Sequence, residues 1–184
     1  MALKSSDPKL SQGETAPNFE LEDYKGQKVS LTDLDNFDGV LVIFMCNHCP
    51  YVKTQTEEIR KLAEEFSSIA VVGINPNVET HEDDTVEKME QFVEENSLDS
   101  SNFYYLADPE QKVAEAYGAK CTPDPFLLDW RHRLHYQGRL NDKTGPEEEV
   151  TEREMKEVIS SMLKRKDTPR EQEPSQGCSI KWKD

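Results

Sequence analysis

Hydrophobic positions in this chain gather into short unbroken runs and helical stripes, with charged residues filling most of the gaps. Val40-Leu41-Val42-Ile43-Phe44-Met45 is a continuous apolar run, the pattern of a strand covered on both faces. Residues 69–75 form a second such run, and Phe103-Tyr104-Tyr105-Leu106 reads as a third strand. Ile59, Leu62, Ala63 and Phe66 recur at helical spacing after the first run. Val86, Met89 and Val93 mark an amphipathic helix with an acidic outer face after the second. Nearer the start, Phe19-Glu20-Leu21 and Lys28-Val29-Ser30-Leu31 flank the turn-rich Asp23-Tyr24-Lys25-Gly26 and predict a hairpin. Asp108 before Pro109 predicts a short helix running to Tyr117 and stopped by Gly118. Residues 126–129 and 133–136 predict antiparallel strands joined near Trp130. Thr151, with Glu154 three residues on, predicts a capping box opening a last helix that buries Met155, Val158, Ile159, Met162 and Leu163.

Strands alternating with helices imply an α/β fold: a central, mostly parallel sheet covered by helices on both faces, an N-terminal β-hairpin and a late antiparallel pair. At 184 residues the chain fits one domain. That domain is expected to span residues 1–166. Residues 167–184 form a polar tail dotted by Pro169 and Pro174, lying on the domain. The tail's last stretch, Gly177-Cys178-Ser179-Ile180-Lys181-Trp182, is apolar enough to dock.

A net charge of -15 repels phosphate and argues against nucleic acid as a partner. No stretch reaches the length of a membrane span, and Met1 to Pro8 lack the apolar core of a signal peptide. A cytoplasmic location is therefore expected, with no membrane partner. There, cysteines stay reduced unless they are catalytic, redox-sensing or metal-bound. Four cysteines are too few for a disulfide scaffold, so chemistry explains the close pair better.

That pair is Cys46-Asn47-His48-Cys49, placed where the first buried strand hands over to a helix. The positive end of a helix dipole favours a thiolate there. Cys46 is expected to be the exposed nucleophile, and Cys49 the resolving thiol that breaks a mixed disulfide. A cationic His48 beside Cys46 would lower its pKa further and make the disulfide more oxidising. A zinc site is the competing reading, but such sites usually bring a second close pair, and Cys121 and Cys178 stand singly. A metal held by Cys46, His48 and Cys49 remains an alternative. His81, His132 and His135 read as solvated. In Cys121-Thr122-Pro123, a proline directly before a strand is a natural site for a cis bond. The backbone of Thr122 could hold an extended substrate by strand-like hydrogen bonds. Cys121 and Cys178 are candidate additional redox thiols.

At these residues the chain resembles the thioredoxin-like superfamily and, within it, the peroxiredoxin-like (AhpC/TSA-type redoxin) subgroup. The resemblance rests on Cys46 to Lys53 (CNHCPYVK), Ala16-Pro17-Asn18-Phe19, Ala116-Tyr117-Gly118-Ala119, Cys121-Thr122-Pro123, Tyr136-Gln137-Gly138-Arg139 and the closing Gly177-Cys178-Ser179-Ile180-Lys181-Trp182. It implies a thioredoxin-like fold with Cys46 and Cys49 as redox pair and Pro123 as cis-proline. Two departures matter. With Cys49 in the peroxidatic position, Cys46 stands where a peroxiredoxin has threonine, and Pro123 where it has arginine. The loss of both peroxide-binding groups favours disulfide exchange over thiol peroxidase (antioxidant) chemistry. The buried acid of thioredoxin is replaced by apolar residues such as Ile43, which leaves proton transfer to water, His48 or another group. The expected function is thiol-disulfide oxidoreduction in cell redox homeostasis, with no cofactor. Its partners would be a disulfide-containing protein or small-molecule thiol and a thioredoxin/reductase-type electron donor.

Overall fold

The unbroken apolar run forms β4 (Gly39–Phe44), an interior strand of a seven-stranded mixed sheet. The computed structural model describes residues 3–7, 9–168 and 171–184. Met1, Ala2 and Pro8 of the N-terminal stretch, and Pro169 of the tail, lie outside the described residues. Strand β4 runs parallel to β5 (Ile69–Asn75), which runs parallel to β6 (Phe103–Ala107). Its other edge pairs antiparallel with β8 (Asp124–Asp129), which in turn pairs with β9 (Leu134–Gln137). The N-terminal hairpin, β2 (Glu20–Asp23) and β3 (Lys28–Ser30), continues the sheet past β6. A second, three-stranded sheet joins β1 (Leu3–Ser5), β10 (Gln176–Ser179) and β7 (Cys121–Thr122), in that order.

Successive strand residues face opposite sides of the sheet, so β4 and β5 feed two cores. Leu41, Ile43 and Val71 pack with residues of α1 (Pro50–Glu65), α2 (Val86–Glu95) and α4 (Glu154–Leu163). Val40, Val42, Phe44 and Val72 pack with α3 (Lys112–Tyr117) and with Phe19 and Val29 of the hairpin region. Coverage of both faces is why these strands read as unbroken apolar runs rather than as alternation. Phe44, Tyr117 and Phe126 meet edge-on in the second core, with centroids 5.4–5.7 Å apart. Phe44→Ala is expected to cost about 3–5 kcal/mol. Urea unfolding should show a lower midpoint at unchanged slope, and a loss below about 1 kcal/mol would mean the cluster does not carry the core.

Two helix starts differ from expectation. Helix α3 begins at Lys112 rather than at Asp108, because Pro109 first makes a turn. Asp108 still caps the helix, its Oδ2 accepting from the Ala114 N–H at 2.9 Å. Helix α4 begins at Glu154 without a capping box. Asp142 takes the Thr151 N–H and hydroxyl, and Glu154 is buried against Arg139. Glu154, engaged by Arg139, does not reach back to the Thr151 N–H, which Asp142 takes instead. Among the described residues no helix is long and apolar enough to cross a membrane.

Candidate active site around Cys46 and Cys49

Helix α1 starts at Pro50, a residue suited to the first helical position, and this leaves Cys49 as its N-cap. The preceding turn stays outside the helix because an acid on another loop binds it. Asp84, between β5 and α2, accepts the Asn47 N–H at 2.6 Å and the His48 N–H at 3.3 Å on Oδ1. Its Oδ2 pairs with His48 Nδ1. Asn75 reaches the same carboxylate at 3.5 Å, and Tyr105 donates to Asn47 Oδ1 at 2.8 Å. Asp84 is fully buried, and its hydrogen bonds supply the compensation that a buried carboxylate requires.

Both cysteine sulfurs lie in the core on the α1 side of the sheet, and neither residue has exposed surface. The expectation of an exposed Cys46 is therefore corrected. Cys46 and Cys49 share one hydrogen bond, so the contact that lowers one thiol raises the other. Burial pushes the Cys46 thiol well above its usual range, and its hydrogen bond to Cys49 and the Asp84 charge push the same way. Cys49 is drawn down to about 5, chiefly by the hydrogen bond from Cys46 and then by those from Cys178 and Thr122, against the opposing effect of burial. The physical reason is position. Cys49 is the N-cap residue of α1 and accepts from Cys46, whereas Cys46 precedes the helix and sits beside the Asp84 carboxylate. One contact opposes the thiolate: the Thr122 carbonyl lies 3.1 Å from Cys49 Sγ and accepts from the protonated form.

Thr122 meets both sulfurs, its hydroxyl lying 3.3 Å from Cys46 Sγ. The Thr122–Pro123 peptide bond is cis. Cys178 Sγ stands 2.9 Å from Cys49 Sγ. Cys121 is turned away, 3.5 Å from the Pro123 carbonyl, and burial pushes its thiol up. His48 is held by Asp84 and stacks on His81 at 3.7 Å, with an interplanar angle of 11°. His81, expected to be solvated, is thus part of the site's wall. A cleft of 410 Å³ opens beside His48, lined also by Asn47, Lys53 and Lys88.

Residues 12–137 match the AhpC/TSA family. The chain belongs to that family. The matched segment includes Cys46, His48, Cys49, Asp84, Thr122 and Pro123, and ends before β10. This AhpC/TSA chain has the thioredoxin-like α/β fold. It is similar to the thiol-disulfide oxidoreductase ResA of Halalkalibacterium halodurans, 29% identical over 119 residues, or 64% of this chain and 62% of that one. It is also similar to peroxiredoxin Bcp of Bacillus subtilis, 30% identical over 107 residues, or 57% of this chain and 62% of that one. Each match thus spans about three-fifths of the relative's length. A solved structure of an uncharacterized conserved protein from Geobacillus kaustophilus superposes with TM-score 0.91 at 35% identity, covering 100% of this chain and 97% of that one.

Three side chains of this AhpC/TSA site could together hold a metal ion, but they are not the three the sequence suggested. The ligand atoms of Cys46, His48 and Asp84 lie within 4.8 Å of one another, and Asp84 rather than Cys49 completes the group. The Asp84 carboxylate already pairs with His48 Nδ1, so an ion would have to displace that pairing.

Asp84, Asn75, Tyr105 and His81 are the residues that sequence reasoning missed. Asp84 lies in Glu82-Asp83-Asp84, which reads as a solvated acidic loop and carries no signal of burial.

Proposed function

We propose that this AhpC/TSA chain is a thiol-disulfide oxidoreductase of cell redox homeostasis, with Cys46 and Cys49 as its redox pair. The observation that carries the reading is the placement of two cysteines two residues apart at the N-terminus of α1, both sulfurs against Thr122. The Cys49 thiolate attacks a substrate disulfide, forming a mixed disulfide and releasing one thiolate. Cys46 then gives up its proton and attacks the Cys49 sulfur, which closes the pair and releases the second thiolate. His48 and Asp84, within 4.8 Å of Cys46, stand where that proton must go. They supply, from outside that strand, a proton acceptor that the strand before the pair lacks. Thr122 and Pro123 position the substrate. The substrates are disulfide-containing proteins or small thiols, the donor is of the thioredoxin/reductase type, and the setting is the cytoplasm.

The test is insulin-disulfide reduction with dithiothreitol as electron source, together with oxidation of a dithiol peptide. Wild-type protein is expected to turn over in at least one direction, and protein inert in both overturns the reading. Stopped-flow peroxide consumption is expected to stay near that of free cysteine. Consumption far above it would make the protein a thiol peroxidase instead, through the same Cys49 thiolate.

A further inference from the structure

The edge of Thr122 that faces the sulfur pair is filled by the chain's own C-terminus. Strand β10 pairs antiparallel with β7, Cys178 opposite Thr122 and Ser179 opposite Cys121. This register sets Cys178 Sγ 2.9 Å from Cys49 Sγ, short of bonding distance but within reach of it. The fit leaves no room for a side chain at 177. A Cβ on Gly177 would lie 2.0 Å from the Thr122 carbonyl oxygen and 2.6 Å from its carbon. Both ends of β10 are latched. Before it, the Ser175 hydroxyl donates to the Pro123 carbonyl at 2.6 Å, and the Ser175 N–H to Ser6 Oγ at 2.9 Å. After it, the Lys181 N–H donates to Asn77 Oδ1 at 3.0 Å, and the Gln111 side chain holds the Lys181 carbonyl and the Lys183 N–H at 2.8 and 2.7 Å. Strand β1 pairs with the outer edge of β10, so the two terminal strands form one ribbon.

We propose that β10 is an intramolecular stand-in for a substrate strand, and that Cys178 is a third redox thiol that resolves Cys49 by forming a Cys49–Cys178 disulfide. This rests on the thiol-disulfide exchange reading above. Cys49 is fully buried beneath the ribbon, so an incoming disulfide RSSR reaches it when the ribbon lifts. The Cys49 thiolate attacks one sulfur: a Cys49–SR bond forms, the RS–SR bond breaks and the first RS⁻ leaves. As β10 returns to Thr122, Cys178 loses its proton and attacks the Cys49 sulfur. The Cys49–Cys178 bond forms and the second RS⁻ leaves. In sum, two protein sulfurs are oxidised, one disulfide is reduced to two thiolates and one proton is released. Strand and substrate compete for the same edge, so the returning strand expels the group it replaces. Cys121 has no such path, its sulfur facing the Pro123 and Ser175 carbonyls.

The experiment uses full-length Cys46→Ser protein and one equivalent of the aromatic disulfide dithiodipyridine. Two equivalents of thiopyridone should be released, and peptide mapping by mass spectrometry should find Cys49 linked to Cys178. The Cys46→Ser/Cys178→Ser protein should stop at one equivalent and keep the probe on Cys49. Gly177→Ala added to Cys46→Ser should also stall at one equivalent, because the strand no longer fits its edge. Release of only one equivalent by Cys46→Ser itself, or a link to Cys121, overturns this inference and leaves disulfide exchange by Cys49 standing. No release at all overturns both.

Discussion

Cys49→Ser is expected to lower disulfide-exchange turnover by at least about 10³-fold, the scale on which an enzyme loses rate when its nucleophile is removed. The prediction separates the two cysteines in a way their spacing does not. Cys46→Ser should still attack a substrate disulfide through Cys49 and release its first thiol in a single turnover, while losing closure of the Cys46–Cys49 pair. Cys49→Ser should fail at the first attack. The same assignment can be read by titration. In the wild type, the ultraviolet absorbance of thiolate should rise with a midpoint at about 5, against the ordinary thiol value of 9.0. Cys49→Ser should abolish that band. Cys46→Ser removes the largest of the donors that hold the thiolate and should move the midpoint upward. A wild-type band that appears only near 9.0 would mean that Cys49 rests as a neutral thiol. Stability follows the same sign. A folded-state pKa below the unfolded one favours the folded thiolate, so this contribution is fully present above 9.0 and is lost as pH falls through about 5. Cys49→Ser should flatten the urea midpoint across that window.

The strands of the main sheet were legible because burial on both faces writes itself locally, as an apolar run that needs no distant partner. The cysteine pair was legible for the same reason, its spacing being local. What escaped was set by distance. Asp84 reaches Asn47 across 37 residues, and nothing in an acidic triplet says that one of its members turns inward. The placement of Asp84 beside Cys46 follows from that missed contact. With Asn47 and His48 tied to Asp84, the turn stays outside the helix, α1 opens at Pro50, and Cys49 rather than Cys46 lies at its N-terminus. Strands β7 and β10, two and four residues long, are too short for periodicity to mark. The docking of residues 177–182 was readable only as apolar content in a polar tail, and its register on Thr122 was not.

Asp84→Ala should destabilise the protein by about 3–5 kcal/mol, the cost of leaving several buried hydrogen-bonding groups unpaired at once. The carboxylate is buried, and its removal strands the Asn47 and His48 amides, the His48 ring and the Asn75 side chain together. Asp84→Asn should cost less, about 1–3 kcal/mol, because an amide oxygen can still accept from the two backbone N–H groups. The Asn variant isolates charge from shape. The Asp84 charge is one of the groups that push Cys46 upward, so Asp84→Asn should bring the second thiol ionisation down while the Cys49 band stays in place. Urea unfolding and the thiolate titration, run on the same three proteins, read both effects. If Asp84→Ala falls within about 0.5 kcal/mol of wild type, Asp84 does not organise the turn, and the start of α1 at Pro50 needs another cause.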